Sequence, residues 1–171
     1  IAALSRDWDE ARALTTEALD LATGMEGLTA SGLIDLGNVY FMEGEFGEAR
    51  KSFEQALALA ERYGAKRSEA RALLSLSSLS LSEDDPTQAR ELAERALPFY
   101  KSGNYSREVS QAHAILGFSA SVLGDLKSAR VVFYEELELA RELGDRAREA
   151  LAREGLSDVA LRQGELPESA R

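Results

Sequence analysis

One segment of the chain recurs in phase, and this repetition limits the possible folds more than any other feature. The stretch LGNVYFMEGEFGEARKSFEQAL at 36–57 returns as LGFSASVLGDLKSARVVFYEEL at 116–137. A looser copy, LSSLSLSEDDPTQARELAERAL, lies midway between them at 76–97. Similarity at a fixed period is typical of stacked units, each of which is too small to bury its apolar face alone. We therefore expect a repeat architecture.

The alanine that follows one turn of each unit gives the period, which is about 40 residues. These alanines are Ala11, Ala49, Ala89 and Ala129, and the first step is slightly shorter than the others. The spacing predicts full units at about 28–65, 66–105 and 106–145, with partial units at 1–24 and 146–171. We expect one solenoid domain over 1–171. Because the chain begins without methionine and stops just inside a new helical pattern, we also expect it to be a piece of a longer protein.

Each unit has the pattern of two antiparallel helices. Four residues of the full unit at 28–65 fall at i, i+3, i+4 and i+7, which is one face of a helix: Leu33, Leu36, Gly37 and Tyr40. Gly37 and Ala49 carry little bulk, so we expect the two helices to cross there with the rings of Tyr40 and Phe53 beside them. Alanine, leucine, glutamate and arginine dominate the composition and favour helices. The sequence predicts an all-α fold.

Glycines, aspartates and one proline set the helix ends. The first helices are predicted at about 28–43, 66–82, 106–123 and 146–163, and the second helices at about 7–22, 47–63, 86–101 and 126–143. The predicted turns within units begin at Gly44, Glu83 and Gly124, and the stops between units lie around Gly64, Gly103 and Gly144. The stretch LLSLSSLSLS at 73–82 alternates like a strand. The repeat phase favours a helix there, since a lone strand in a helical stack would leave its backbone groups unpaired.

The recurring positions resemble the tetratricopeptide repeat, whose pattern runs W-x2-L-G-x2-Y, a turn, and A-x3-F-x2-A. The unit at 28–65 matches with Leu33, Leu36, Gly37, Tyr40, Ala49, Phe53 and Ala56. The next two match more loosely, with Leu73, Leu76, Ser77, Ser80, Ala89, Ala93 and Ala96, and with His113, Leu116, Gly117, Ala120, Ala129, Phe133 and Glu136. The family's usual unit has about 34 residues, so longer helices are expected here. The resemblance implies an α-solenoid of stacked antiparallel hairpins in a right-handed superhelix.

In this family the first helices line the concave face, where peptides bind, so the resemblance implies a protein or peptide partner. The residues expected to bind it are Asn38, Phe41, Phe118, Asp35, Met42, Arg71, Ser78 and Gln111. Further groove candidates are Ile34, Leu74, Ser75, Leu81, Ile115, Ser121 and Val122. For Ile34, Leu74, Leu81 and Ile115 the alternative is packing against the neighbouring repeat. Only Asn38 and Arg71 match the clamp that holds acidic tails in the chaperone-binding members, so the sequence argues against that ligand.

Residues that carry chemistry are scarce. The chain has no cysteine and one histidine, His113, which stands at the buried tryptophan position of the pattern. We expect a core histidine held by a hydrogen bond. The cluster Glu83, Asp84 and Asp85 lies in a turn and suits helix capping, while a solvated surface is expected for Glu54, Glu61, Glu91, Glu94, Glu135, Glu136 and Glu138. No phosphate-binding or nucleophile motif occurs. We expect no enzyme activity, no metal and no cofactor.

Charge and hydropathy restrict the partners. A net charge of −10 repels nucleic acid and anionic membranes. The sequence has neither a long apolar run nor a signal peptide, so we expect a cytoplasmic protein. Uncapped end repeats could pair with a second copy, which makes a homo-oligomer an expectation. The main functional hypothesis is a protein-interaction scaffold. The alternative is the sensor domain of a larger bacterial-type signalling protein or transcription regulator, where repeats of this length are familiar.

Overall fold

The chain folds into α-helices joined by short turns. The structure is a computed structural model that describes residues 2–22 and 24–164. Within these ranges it contains no strand and eight helices: α1 (Ala2–Leu21), α2 (Glu26–Glu43), α3 (Phe46–Tyr63), α4 (Lys66–Ser82), α5 (Pro86–Ser102), α6 (Ser106–Val122), α7 (Leu126–Leu143) and α8 (Arg146–Arg162). The predicted all-α class is confirmed. Predicted helix ends lie within two residues of the observed ones, except that α1 begins at Ala2 rather than near residue 7.

A left-handed backbone conformation recurs at every twentieth residue and sets the period of the fold. The residues with positive φ, between 55° and 86°, are Gly24, Gly44, Gly64, Asp84, Asn104, Gly124, Gly144 and Gly164. Each stands just after a helix, where a residue in this conformation turns the chain and lets backbone N–H groups reach the last carbonyls. One helix with its turn is therefore half of a repeat unit. This is the physical basis of the hairpin period.

The left-handed residue after α5 lies one position later than the helix stop predicted at Gly103. Gly103 has a φ of −92°, and it is Asn104 that takes the left-handed conformation, with a φ of 55°. Asparagine tolerates this region better than most residues. Gly103 is needed for a different reason, because a β-carbon there would lie 2.2 Å from Cε2 of Tyr105. The Tyr105 ring in turn stacks on Phe99, with centroids 5.7 Å apart.

The helices form two compact units, residues 1–79 and 80–171. In unit 1, α2 packs against both α1 and α3. In unit 2, α6 packs against α5 and α7, and α7 packs against α8. In each of these pairs the helices follow one another in sequence and are neighbours in space, as expected for hairpins. The first helices of the hairpins are α2, α4, α6 and α8, and the second helices are α1, α3, α5 and α7.

In unit 1 the crossing of α2 and α3 pairs a glycine with a phenylalanine. Phe53 is fully buried, and a β-carbon on Gly37 would lie 2.5 Å from its Cε1 atom. The ring therefore occupies the space that a side chain at residue 37 would need. This confirms the predicted interlocking of small and large residues, since close helix approach requires that one partner lack bulk.

In unit 2 the ring of Phe133 packs against two glycines in the same way. A β-carbon on Gly117 of α6 would lie 2.6 Å from Cε1 of Phe133. A β-carbon on Gly155 of α8 would lie 2.5 Å from Cζ of the same ring. The ring of one α7 residue is thus wedged between glycines of two first helices. The role of Gly117 follows the predicted pattern, whereas that of Gly155 was not predicted.

The serine-rich stretch that alternates like a strand is helical, as the repeat phase predicts. It forms the second half of α4, where Leu73, Leu76, Ser77 and Leu79 are all buried. Because this helix is covered on most of its circumference, its buried positions do not follow a single stripe. Ser78 Oγ donates a hydrogen bond to the carbonyl of Leu74 at 3.1 Å. Such a bond within its own helix satisfies a hydroxyl that has little access to water.

Aspartates cap three helices that begin in unit 2, namely α5, α7 and α8, and the cap of α5 was predicted for the turn at 83–85. Asp85 accepts a hydrogen bond from the backbone N–H of Gln88 at 2.9 Å, and Pro86 stands in the first turn of α5. At the start of α7, Asp125 Oδ1 accepts from the N–H of Ser128 at 3.2 Å, while its Oδ2 lies 3.2 Å from Nη1 of Arg90. Hydrogen bonds from the side chain and backbone of Ser128, and then Arg90, lower the pKa of Asp125.

The lowered pKa of Asp125 predicts a pH-dependent contribution to stability. A carboxyl whose pKa is lower in the folded state stabilises the fold above its unfolded pKa, about 4, and loses that contribution as the pH falls through the folded pKa. We expect Asp125→Asn to have a lower urea midpoint than the wild type at neutral pH. The difference should shrink below about pH 4, because the wild-type carboxyl is then protonated. An equal difference at neutral and acidic pH would contradict this account.

Candidate functional site

A groove runs between the first helices α6 and α8 in unit 2. Its volume is about 620 Å³, within the range of ligand-binding clefts. Its apolar lining consists of Ala114, Phe118, Val122, Phe133, Leu151, Ala152 and Gly155. Its polar and charged lining consists of Arg107, Ser110, Gln111, Ser121, Glu136, Arg148, Glu154, Asp158 and Arg162. The groove is therefore lined by both apolar and charged side chains.

Small residues make room for the groove, and two large apolar side chains flank it. Gly155 and Ala114 leave space between the helices, and the ring of Phe133 lines the gap. Phe118 on α6 and Leu151 on α8 are 56% and 64% exposed. Large apolar side chains at such exposure, lining one concavity from two helices, are typical of a surface that another molecule covers.

Hydrogen bonds between α6 and α8 fix the width of the groove at one end. Ser121 Oγ donates to Oδ2 of Asp158 at 3.0 Å. Arg162 Nη1 donates to the backbone carbonyl of Ser121 at 2.8 Å, and its Nε lies 3.0 Å from Oδ2 of Asp158. Ser121, a predicted groove residue, is thus buried and holds the two helices together.

The other charged side chains of the groove differ in whether they have an ion-pair partner. Arg148 is held by Asp145 at 3.2 Å, whereas neither Arg107 nor Glu154 has an ion-pair partner among the described residues. The groove thus offers one cation and one carboxylate that a ligand could engage. Both belong to first helices, on the side where the sequence predicts a peptide site.

In unit 1 the predicted groove residues have different environments. Asn38 is exposed, Met42 is 65% exposed, and Phe41 is half-buried with its ring centroid 5.7 Å from that of Phe46. Asp35 and Arg71 form an ion pair at 2.8 Å. Arg71 Nη1 also donates to Oγ of Ser31 at 2.7 Å. Arg71 therefore links α4 to α2, while Asn38 and Met42 face solvent.

The other predicted groove candidates divide by burial. Ile34, Leu74 and Ile115 are buried, as the packing alternative predicts for them, and Leu81 is half-buried. Gln111 is exposed and lines the α6–α8 groove, while half-buried Ser78 bonds to its own helix. Most residues that line the α6–α8 groove were not predicted to do so, and Leu151 and Gly155 are among them. These two residues could have been predicted from the sequence, because residues 146–163 were predicted to form a first helix.

A buried polar cluster in unit 2 corrects the prediction of a solvated Glu136. This residue is 5% exposed, and its Oε1 accepts a hydrogen bond from Ser110. His113, buried as predicted, has its Nδ1 3.4 Å from Oε2 of Glu136 and its Nε2 3.3 Å from Oε2 of Glu135. Neither ring nitrogen has a geometrically good hydrogen bond within the described residues, so the prediction of a hydrogen-bonded histidine is wrong. The other predicted surface glutamates are exposed: Glu54, Glu61, Glu91, Glu94, Glu135 and Glu138.

Among the described residues, a metal site and a membrane-spanning helix are both absent. No group of three or more His, Asp or Glu side chains among residues 2–22 and 24–164 is arranged to hold a metal ion. In the same part of the chain, no helix is long and apolar enough to cross a membrane.

Comparisons with known proteins agree with this architecture. The tetratricopeptide repeat family matches residues 28–102. Among 43 similar chains of solved structure is BtubC (BKLC) from P. vanneervenii, with a TM-score of 0.84 and 19% sequence identity. The match covers 92% of this chain and 67% of that one. No curated protein matches the sequence significantly.

These findings define the fold. The helix hairpins, the glycine and phenylalanine pairs at their crossings and the structural match identify an all-α solenoid, and residues 28–102 match the tetratricopeptide repeat family. Repeats of this family generally mediate protein–protein interactions and are not catalytic.

Proposed function

We propose that the chain is a protein-interaction module that holds a segment of a partner polypeptide on its first helices. The observation that carries this proposal is the α6–α8 groove, in which the exposed side chains of Phe118 and Leu151 stand on facing helices. Such side chains add large contact area on binding at a low cost in conformational entropy. In unit 1, exposed Asn38 and Met42 offer a second contact surface for a polypeptide.

The chemistry of the α6–α8 groove suits a peptide. An extended segment has backbone amide and carbonyl groups that need partners once they leave water. Gln111, which is exposed in the groove, can both donate and accept such bonds, as can Asn38 in unit 1. Apolar side chains of the segment would contact Phe118, Leu151 and the ring of Phe133.

The test compares two leucines of the same helix. Peptides that bind the chain are selected from a random library displayed on phage and synthesised for affinity measurement. We expect Leu151→Ala and Phe118→Ala each to weaken binding by about 2 kcal/mol, the size of an interface hot spot. Leu161→Ala should leave the affinity unchanged, because Leu161 is 60% exposed on α8 but does not line the groove.

Unfolding in urea separates contact from stability. Phe118, Leu151 and Leu161 are all more than half exposed, so each alanine variant should unfold within about 0.5 kcal/mol of the wild type. If Leu151→Ala and Leu161→Ala bind the selected peptides equally well, the groove is not the binding site.

A further inference from the structure

A second, smaller groove lies between the second helices α5 and α7. Its volume is about 370 Å³ and it shares no lining residue with the α6–α8 groove. It is lined by Arg90, Glu94, Leu116, Ala120, Lys127, Ser128, Val131 and Val132. Leu116 and Ala120 are core residues of α6. The groove thus opens onto the apolar core of unit 2 from between two second helices.

The outer face of α7 departs from the repeat at this groove. Val131 and Tyr134 are 58% and 53% exposed and stand one helical turn apart. At the corresponding positions of the two preceding units the chain has charged side chains: Lys51 and Glu91 for Val131, and Glu54 and Glu94 for Tyr134. All four of these charged residues are exposed. At exposed positions like these, charged side chains are hydrated better than apolar ones. In place of charged residues, α7 presents an aliphatic and an aromatic side chain to solvent.

One charged side chain at the groove has no ion-pair partner among the described residues. Arg90 Nε binds Oε1 of Glu94 at 2.9 Å, and its Nη1 lies 3.2 Å from Oδ2 of Asp125. The single carboxylate that lines the groove, Glu94, is therefore engaged. Lys127, one turn before Val131, has no ion-pair or hydrogen-bond partner among the described residues. The groove thus presents an unpaired ammonium group beside apolar walls, on a chain whose net charge is −10.

We propose that the α5–α7 groove is a second docking surface, which takes a protein segment with an aliphatic side chain next to a carboxylate. The aliphatic side chain enters the groove over Leu116 and Ala120, against Val131. The carboxylate pairs with Lys127. Tyr134 extends the apolar contact beyond the groove along α7, which suits a polypeptide. The contact area is small, so the affinity expected is that of a transient interaction.

The test uses the intact chain, and its substitutions are taken from the corresponding positions of another repeat in the same chain. A random peptide library displayed on phage is selected in parallel against the wild type and against Val131→Lys/Tyr134→Glu, which restores the residues that α3 carries at 51 and 54. Both positions are exposed, so urea unfolding of the double variant should match that of the wild type. The wild type should enrich peptides with an aliphatic residue beside an acidic one, and the double variant should not.

Single variants then separate the two grooves. For such a peptide, Lys127→Glu should weaken binding about tenfold or more, equivalent to about 1.4 kcal/mol, and the loss should shrink at high salt. Phe118→Ala should leave this peptide unaffected, which distinguishes a failure here from a failure of the α6–α8 groove. Failure to enrich such peptides, or equal binding to the double variant, would overturn the proposal. So would self-association of the wild type that the double variant abolishes, since the occupant would then be a second copy of this chain.

Discussion

Replacing Phe53 by alanine is expected to lower the free energy of unfolding by about 3–5 kcal/mol. The ring is 1% exposed and occupies the space left by Gly37, where a β-carbon would lie 2.5 Å from its Cε1 atom. Truncation leaves a cavity at the crossing of α2 and α3, and the helices cannot close it without moving their other contacts. Urea unfolding followed by circular dichroism measures the change.

A double-mutant cycle with Gly37 provides the control for Phe53. In the wild type, Gly37→Ala should destabilise the chain, because the new methyl group would overlap the ring. In the Phe53→Ala background the same methyl group enters the cavity, so its cost should largely disappear. Residues in contact show coupling energies of about 0.5–3 kcal/mol in such cycles. Additive effects would show that the ring and the glycine do not contact each other.

Replacing His113 by leucine is expected to cost about 3–5 kcal/mol, although leucine is what the repeat carries at the corresponding positions. The substitution removes the group that faces Oε2 of Glu136 at 3.4 Å. It leaves a buried carboxylate with Ser110 as its remaining partner among the described residues. A buried polar group that loses a partner destabilises the fold more than the original contact stabilises it.

The double variant His113→Leu/Glu136→Ala is the matched control for this cluster. It restores the residues at the corresponding positions of the two preceding units, Leu33 and Leu73 for residue 113, and Ala56 and Ala96 for residue 136. Replacing a buried polar pair by apolar residues is often neutral or stabilising. We expect the double variant to unfold at a urea concentration close to that of the wild type. If it is as unstable as the single variant, the loss at His113 comes from packing and not from Glu136.

The sequence predicted the helices well because their signals are local. A left-handed residue ends each helix, and glycine supplies it at six of the eight turns with positive φ among the described residues. The strand-like pattern of α4 would have misled an analysis of that stretch alone. The repeat phase corrected it, since it uses information from the equivalent positions of the neighbouring units.

Where neighbouring residues compete for one role, only packing decides between them. Gly103 and Asn104 both suit a left-handed turn, and the sequence favoured the glycine. The ring of Tyr105 needs the space beside residue 103, so the turn falls on Asn104. Similarly, the ion pair between Asp35 and Arg71, two residues that the sequence predicts to contact a ligand, is seen only in the structure.

The sequence by itself determined the repeat period, the helix hairpins and the glycine that accepts Phe53, because each depends on spacing or on backbone conformation. Only the tertiary structure decided which polar residues are buried and where the grooves open. Glu136 lies in a run of surface glutamates, and its burial depends on Ser110 of α6, the preceding helix. The α6–α8 groove requires Gly155 and Leu151 of one hairpin to meet Phe118 of another. Contacts between hairpins depend on how side chains of different repeats fit together, which periodicity within one repeat does not encode.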